Sequence, residues 1–163
     1  SKLGFMIQNK INFINDIYLH ERLINASIER FCRPKVYPNF LNKLLKTRSN
    51  QNIKRIGCTD SSDGLFQAIQ DLAFASNCKA IINYDKIPKD KDWPKGDKWD
   101  EYYFFGGEDY ELVFSLPEKW AKNLCRLDNN MHEIGFFTKG EPSVEFKESK
   151  KNKLFTNTPF KHF

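Results

Sequence analysis

A chain of 163 residues, 40% hydrophobic and 15% aromatic, is long and apolar enough to bury one core, which excludes the disordered and fibrous classes. Its 26 Lys and Arg against 21 Asp and Glu give a net charge of +5, a mild excess that suits anionic ligands such as phosphates but lacks the concentrated basic stripe of a nucleic-acid binder. There is no apolar run of the roughly 18 residues that a membrane span needs and no basic-then-apolar leader, so a cytoplasmic protein with no membrane partner is expected.

Taken in chain order, Ile14, Ile17, Tyr18, Ile24 and Ile28 recur at helical spacing from about residue 11 to residue 30, and Arg33-Pro34 ends the run. A shorter helix follows Pro38, with Phe40, Leu41, Leu44 and Leu45 read as one face. Polar TRSNQNIK leads into RIGCTD, a short strand expected to aim Asp60 past its end. Leu65, Phe66, Ile69, Leu72 and Ala73 then repeat as on a helix with one buried face, with Asn77 as its C-cap. KAIINYDKIP reads as the next strand, closed by Pro88. The charged, proline-broken stretch from Lys89 to Tyr103 reads as a surface loop able to fold over a ligand. YELVFSL is a strand, Pro117 opens a helix running to about Leu127, and HEIGFFTKGEPSVEF reads as two strands joined by a glycine-containing turn. The mixture implies one α+β or layered α/β domain.

Cys32, Cys58, Cys78 and Cys125 form no CxxC pair, and His20, His132 and His162 are dispersed, so neither a zinc site nor a redox motif is indicated. Three spots stand out instead: TDSSDGL at 59–65, GGEDYEL at 106–112, and the aromatic end PFKHF. With Ser61 or Ser62 as N-cap and Asp63 in the first helical turn, the two aspartates serve either as helix-capping acids or as oxygen ligands for one metal ion. Ser62 is then able to offer its hydroxyl or N–H to a phosphate at the helix start. In GGEDYEL the glycines permit a sharp turn that presents Glu108 and Asp109 at the mouth of a strand; a turn with solvated acids is the alternative.

In this order, TDSSDGL, GGEDYEL, IGFFTKGEPSV and a terminal FKHF resemble the C-terminal half of the thiamine-monophosphate kinase family, in the superfamily that shares the aminoimidazole ribonucleotide synthetase fold. SKLGF is similar to that family's linker after its ATP-binding half, and CRPKVYP to its Arg-Pro helix end. The resemblance implies a mixed sheet packed with helices and transfer of the ATP γ-phosphoryl group to thiamine monophosphate, giving thiamine diphosphate. It further implies Mg2+ on Asp60 and Asp63, ATP on Ser62, and substrate on Glu108, with Glu111 as the other candidate. Phe160 is matched to an aromatic that packs on the thiamine rings, which has a rationale in cation–π attraction to a thiazolium. By the same resemblance the N-terminal ATP-binding domain is absent from this chain, the parent enzyme is a homodimer, and the chain by itself is inactive. Ser61 departs from the aliphatic residue usual at its position, RPKVYP lacks the second proline and arginine often seen after the family's Arg-Pro pair, and the Lys89–Tyr103 stretch has its own composition. Two alternatives stand beside the kinase: another ATP- and Mg-dependent synthetase of the superfamily, acting on a purine intermediate or making selenophosphate, and a non-catalytic ligand-binding domain.

Overall fold

The computed structural model describes residues 21–35, 37–48 and 56–147. Five helices and five strands lie among them: α1 (Glu21–Cys32), α2 (Phe40–Thr47), β1 (Gly57–Asp60), α3 (Leu65–Ala75), β2 (Lys79–Ile82), α4 (Asp97–Phe105), β3 (Leu112–Ser115), α5 (Glu118–Leu127), β4 (Gly135–Thr138) and β5 (Ser143–Phe146). This is the α+β architecture expected from the sequence, arranged as two small sheets.

β1 and β3 pair antiparallel, from Gly57 opposite Ser115 to Asp60 opposite Leu112. The second sheet has the order β4-β2-β5, with β4 antiparallel and β5 parallel to β2. The two strands read from HEIGFFTKGEPSVEF are therefore joined in sequence but not paired, because β2 lies between them. Their link crosses the start of β2, where a Cβ at Gly140 (φ +154°) would touch Lys79 at 3.4 Å.

The apolar stripe of α3 packs against β1, β2, β3, β5 and α4. Ile69 and Ala73 meet Ala80, Ile82, Ile87, Phe104, Phe105 and Phe146 in the core. α3 ends in a Schellman motif: Cys78 N–H donates to Ala73 O (3.0 Å) and Asn77 N–H to Phe74 O (3.1 Å). Asn77 adopts φ 47°, so it stands one residue beyond the C-cap, Ser76.

Other expectations change on folding. KAIINYDKIP is strand only to Ile82, after which a 3-10 turn, Tyr84–Lys86, is capped by the Asn83 side chain accepting from Asp85 N–H. α2 turns Phe40, Leu44 and Thr47 inward, while Leu41 and Leu45 are exposed. The cause is its packing on α5: Trp120 Nε1 donates to Leu44 O (2.9 Å) and Thr47 Oγ1 (3.1 Å), and Phe40 stacks on Phe114. The expected loop from Lys89 to Tyr103 is a loop only in its first part. Its second part is α4, which buries Trp99, Asp100, Phe104 and Phe105.

No helix among the described residues is long and apolar enough to cross a membrane. The expected start of the first helix, from about residue 11, lies outside the described residues, as do His20, His162 and Phe160.

Candidate functional site

The β1–β3 ladder explains why two motifs almost fifty residues apart meet. β1 ends where β3 begins, so the loop after Asp60 and the loop before Leu112 leave the same end of the ladder. They continue its bonding with side chains recruited into the pattern. Ser61 N–H donates to Glu111 O (2.9 Å), Glu111 N–H donates to the buried Ser61 Oγ (3.1 Å), and Glu108 N–H donates to Ser62 O (2.7 Å). Ser61, the departure from an aliphatic residue, is thus the side chain that joins the two loops.

Neither Ser61, Ser62 nor Asp63 caps α3. The helix starts at Leu65, its N-cap is Gly64, and no side chain bonds there. Asp63 consequently precedes the first helical turn instead of lying in it. Asp60 closes a turn of its own, its Oδ1 accepting from Ser62 N–H at 2.9 Å. Hydrogen bonds from the Ser62 hydroxyl and N–H hold the Asp60 carboxyl below the usual carboxylate range, so an exposed anion stands at the end of β1 at neutral pH. The same geometry engages both the Ser62 N–H and its hydroxyl on Asp60, so either group turns to another acceptor only if the Asp60 turn rearranges.

In the second loop, Glu108 and Tyr110 have left-handed backbones, φ 65° and 53°. Glu111 is gripped by two groups that sequence reading did not single out: the Arg30 guanidinium from the last turn of α1, and the Tyr37 hydroxyl, 3.1 Å from Oε2. Arg30 also donates to Asp109 O at 2.9 Å. A signal for Arg30 existed, since Leu23, Ser27 and Arg30 fall at i, i+4 and i+7 and the first two are buried, but in sequence an arginine in a last turn reads as a dipole complement.

Burial pushes the Asp109 carboxyl up from 3.8 to about 6. The folded chain therefore holds this proton at pH values where the unfolded chain has released it, and the contribution of Asp109 to stability declines as pH rises from about 4 through about 6. Measured by urea midpoints, the stability of the native chain relative to an Asp109→Asn variant should fall by about 1–3 kcal/mol across that window and stay flat above it. A difference independent of pH would refute the assignment.

Asp60 and Asp63 offer oxygen donors, which fit a hard cation such as Mg2+. No group of three or more His, Cys, Asp or Glu able to hold a metal occurs among the described residues. A Mg2+ here would take the remaining ligands from phosphates, water or another polypeptide segment, which is its usual habit.

Comparisons with known proteins find relatives along the whole chain. Thiamine-monophosphate kinase of Prochlorococcus marinus is 32% identical over 163 residues, covering all of this chain and 49% of the relative. A solved structure described as AaThiL complexed with AMPPCP and TMP matches with a TM-score of 0.65 and 26% identity, covering 100% of this chain and 48% of that one. Thiamine-monophosphate kinase from Stenotrophomonas maltophilia, at 20% identity and a TM-score of 0.67 over 90% of this chain and 46% of its own, shares the fold. The chain thus spans about half the length of the curated relatives it matches. Residues 41–147 match the family described as AIR synthase related protein, C-terminal domain, and the chain belongs to that family.

Proposed function

We propose that this chain is the C-terminal half of a thiamine-monophosphate kinase, which transfers the γ-phosphoryl group of ATP to thiamine monophosphate and yields thiamine diphosphate in the cytoplasm. The observation that carries the reading is the hydrogen-bonded docking of the Asp60–Asp63 loop on the Gly106–Glu111 loop. The two motifs that resemble the family form one surface at one end of a ladder. The AMPPCP and TMP bound by a structural relative support the same pair of ligands here.

Phosphoryl transfer asks a protein mainly for position and charge neutralisation, and Mg2+ supplies the latter on the phosphates. Asp60 and Asp63 are the residues that would hold it, with the Ser62 hydroxyl nearest the nucleotide. Between the two acids proposed for the acceptor, Glu108 is favoured, because the family resemblance matches it to the substrate-binding position, while Glu111 ties the loop to Arg30 and Tyr37. Phe160 would pack on the thiamine rings. ATP itself needs the N-terminal domain that the relatives' length implies, in a parent that is a homodimer, and without that domain the chain is inactive.

The test joins this chain to such an N-terminal half and measures thiamine diphosphate formed from ATP, Mg2+ and thiamine monophosphate. Product is expected, and Asp60→Asn should lower kcat/KM about a hundredfold with little change in the unfolding midpoint. A folded protein that binds nucleotide yet forms no product would discard the thiamine assignment in favour of a related synthetase.

A further inference from the structure

The backbone from Glu108 to Glu111 is held in a costly shape. Two non-glycine residues, Glu108 and Tyr110, occupy the left-handed region on either side of Asp109. Each such residue carries a penalty that persists only where the surroundings over-determine it. Ser62 restrains the near side of this segment by accepting from Glu108 N–H. Arg30 restrains the far side, and its place of attachment is telling. One nitrogen, Nη2, donates both to the carbonyl of Asp109, the residue between the two left-handed positions, and to the Glu111 carboxylate. Tyr37 orients that carboxylate from its other oxygen. α1 contributes no carboxylate to this loop through these contacts; it contributes a charged brace, with the Arg30 side chain only 16% exposed.

We infer that Arg30 is a positioning residue, which holds the 108–111 segment in its left-handed conformation and so sets where Glu108 meets the acceptor substrate. The consequence for substrate rests on the role proposed above for Glu108; the consequence for the loop does not. Arg30 needs no contact with the substrate itself. Its guanidinium is suited to the task because the two N–H bonds of one planar nitrogen diverge at a fixed angle toward the carbonyl and the carboxylate, which a rotating lysine ammonium reproduces in charge but not in geometry.

Two readouts test the inference separately. In this chain, amide hydrogen exchange is followed at Glu108 and Glu111, with the interior amides of α3 as reference. Arg30→Gln should speed exchange at Glu108 and Glu111 at least about tenfold relative to α3, and Arg30→Lys should fall between Arg30→Gln and the native chain. Unchanged exchange at the two loop amides, or an equal rise in α3, would overturn the positioning role. In the joined enzyme, Arg30→Gln should raise KM for thiamine monophosphate about tenfold while kcat and KM for ATP stay within about twofold. An unchanged KM for thiamine monophosphate with altered loop exchange would overturn the substrate consequence. Absence of product from the unsubstituted joined enzyme would instead sink the kinase reading, and the exchange data would still decide what Arg30 does.

Discussion

Gly64→Ala should destabilise the chain by about 3–5 kcal/mol, lowering its urea midpoint severely, and in the joined enzyme should abolish thiamine diphosphate formation. Two independent costs combine at this position. Its backbone, φ 97° and ψ 157°, lies in a region that L side chains avoid. A Cβ there would also lie 2.9 Å from the carbonyl oxygen of Phe104 and 3.2 Å from two backbone atoms of Phe105, none of which is a flexible side-chain tip. Phe104 has no exposed surface and cannot retreat without opening the core. The glycine of TDSSDGL is thus required by the close passage of α4, and that passage brings the chain into Gly106 and Glu108. A Gly64→Ala variant with native stability would show that the two loops are not packed as described.

Gly64 also explains how the sequence was informative and where it was not. The Asp60/Asp63 pair, the strand before it and the amphipathic α3 follow from local pattern, since burial on one face imposes a period that a single sequence displays. The cap did not follow. Four residues with capping chemistry precede α3, but the tertiary demand for a residue without Cβ places glycine at the cap itself, and Asp60 turns back onto Ser62 instead. Capping propensity is worth about 1 kcal/mol and yields to a backbone contact that costs more to break.

The same reasoning separates the halves of the site. Within each motif the acids were legible, because paired carboxylates and glycines are visible locally. What holds the motifs together was not: Ser61 reaches Glu111 across 50 residues and Arg30 reaches it across 81. Long-range partners of this kind leave no periodic trace. α4 was hidden for a related reason. In DKWDEYYFF the buried set is Trp99, Asp100, Phe104 and Phe105, a helical spacing, but it includes a carboxylate, and charge in sequence reads as solvent exposure.

That carboxylate leads to the second large effect. Asp100, 3% exposed, accepts from the Tyr84 hydroxyl and from Lys89 Nζ at 2.7 Å, while the ammonium also lies 2.5 Å from the Tyr84 oxygen and 3.9 Å from its ring centroid. Burial, aided by the Asp100 charge, pushes the Tyr84 phenol up, which keeps it a donor. Asp100→Ala would strand the Lys89 ammonium in a largely buried place with one weak acceptor, and should cost about 3–5 kcal/mol by urea unfolding. Replacing both partners, as in Lys89→Met with Asp100→Leu, removes the charges together and should recover most of that loss, because an apolar pair leaves no charge unpaired. Simple additivity of the two single variants would mean that the ion pair contributes nothing beyond its separate parts. A deep recovery would show that the loss in the single variant is the cost of a stranded ammonium, and that packing at these two positions, charged or apolar, holds α4, the helix whose end packs on Gly64 and leads directly to Glu108.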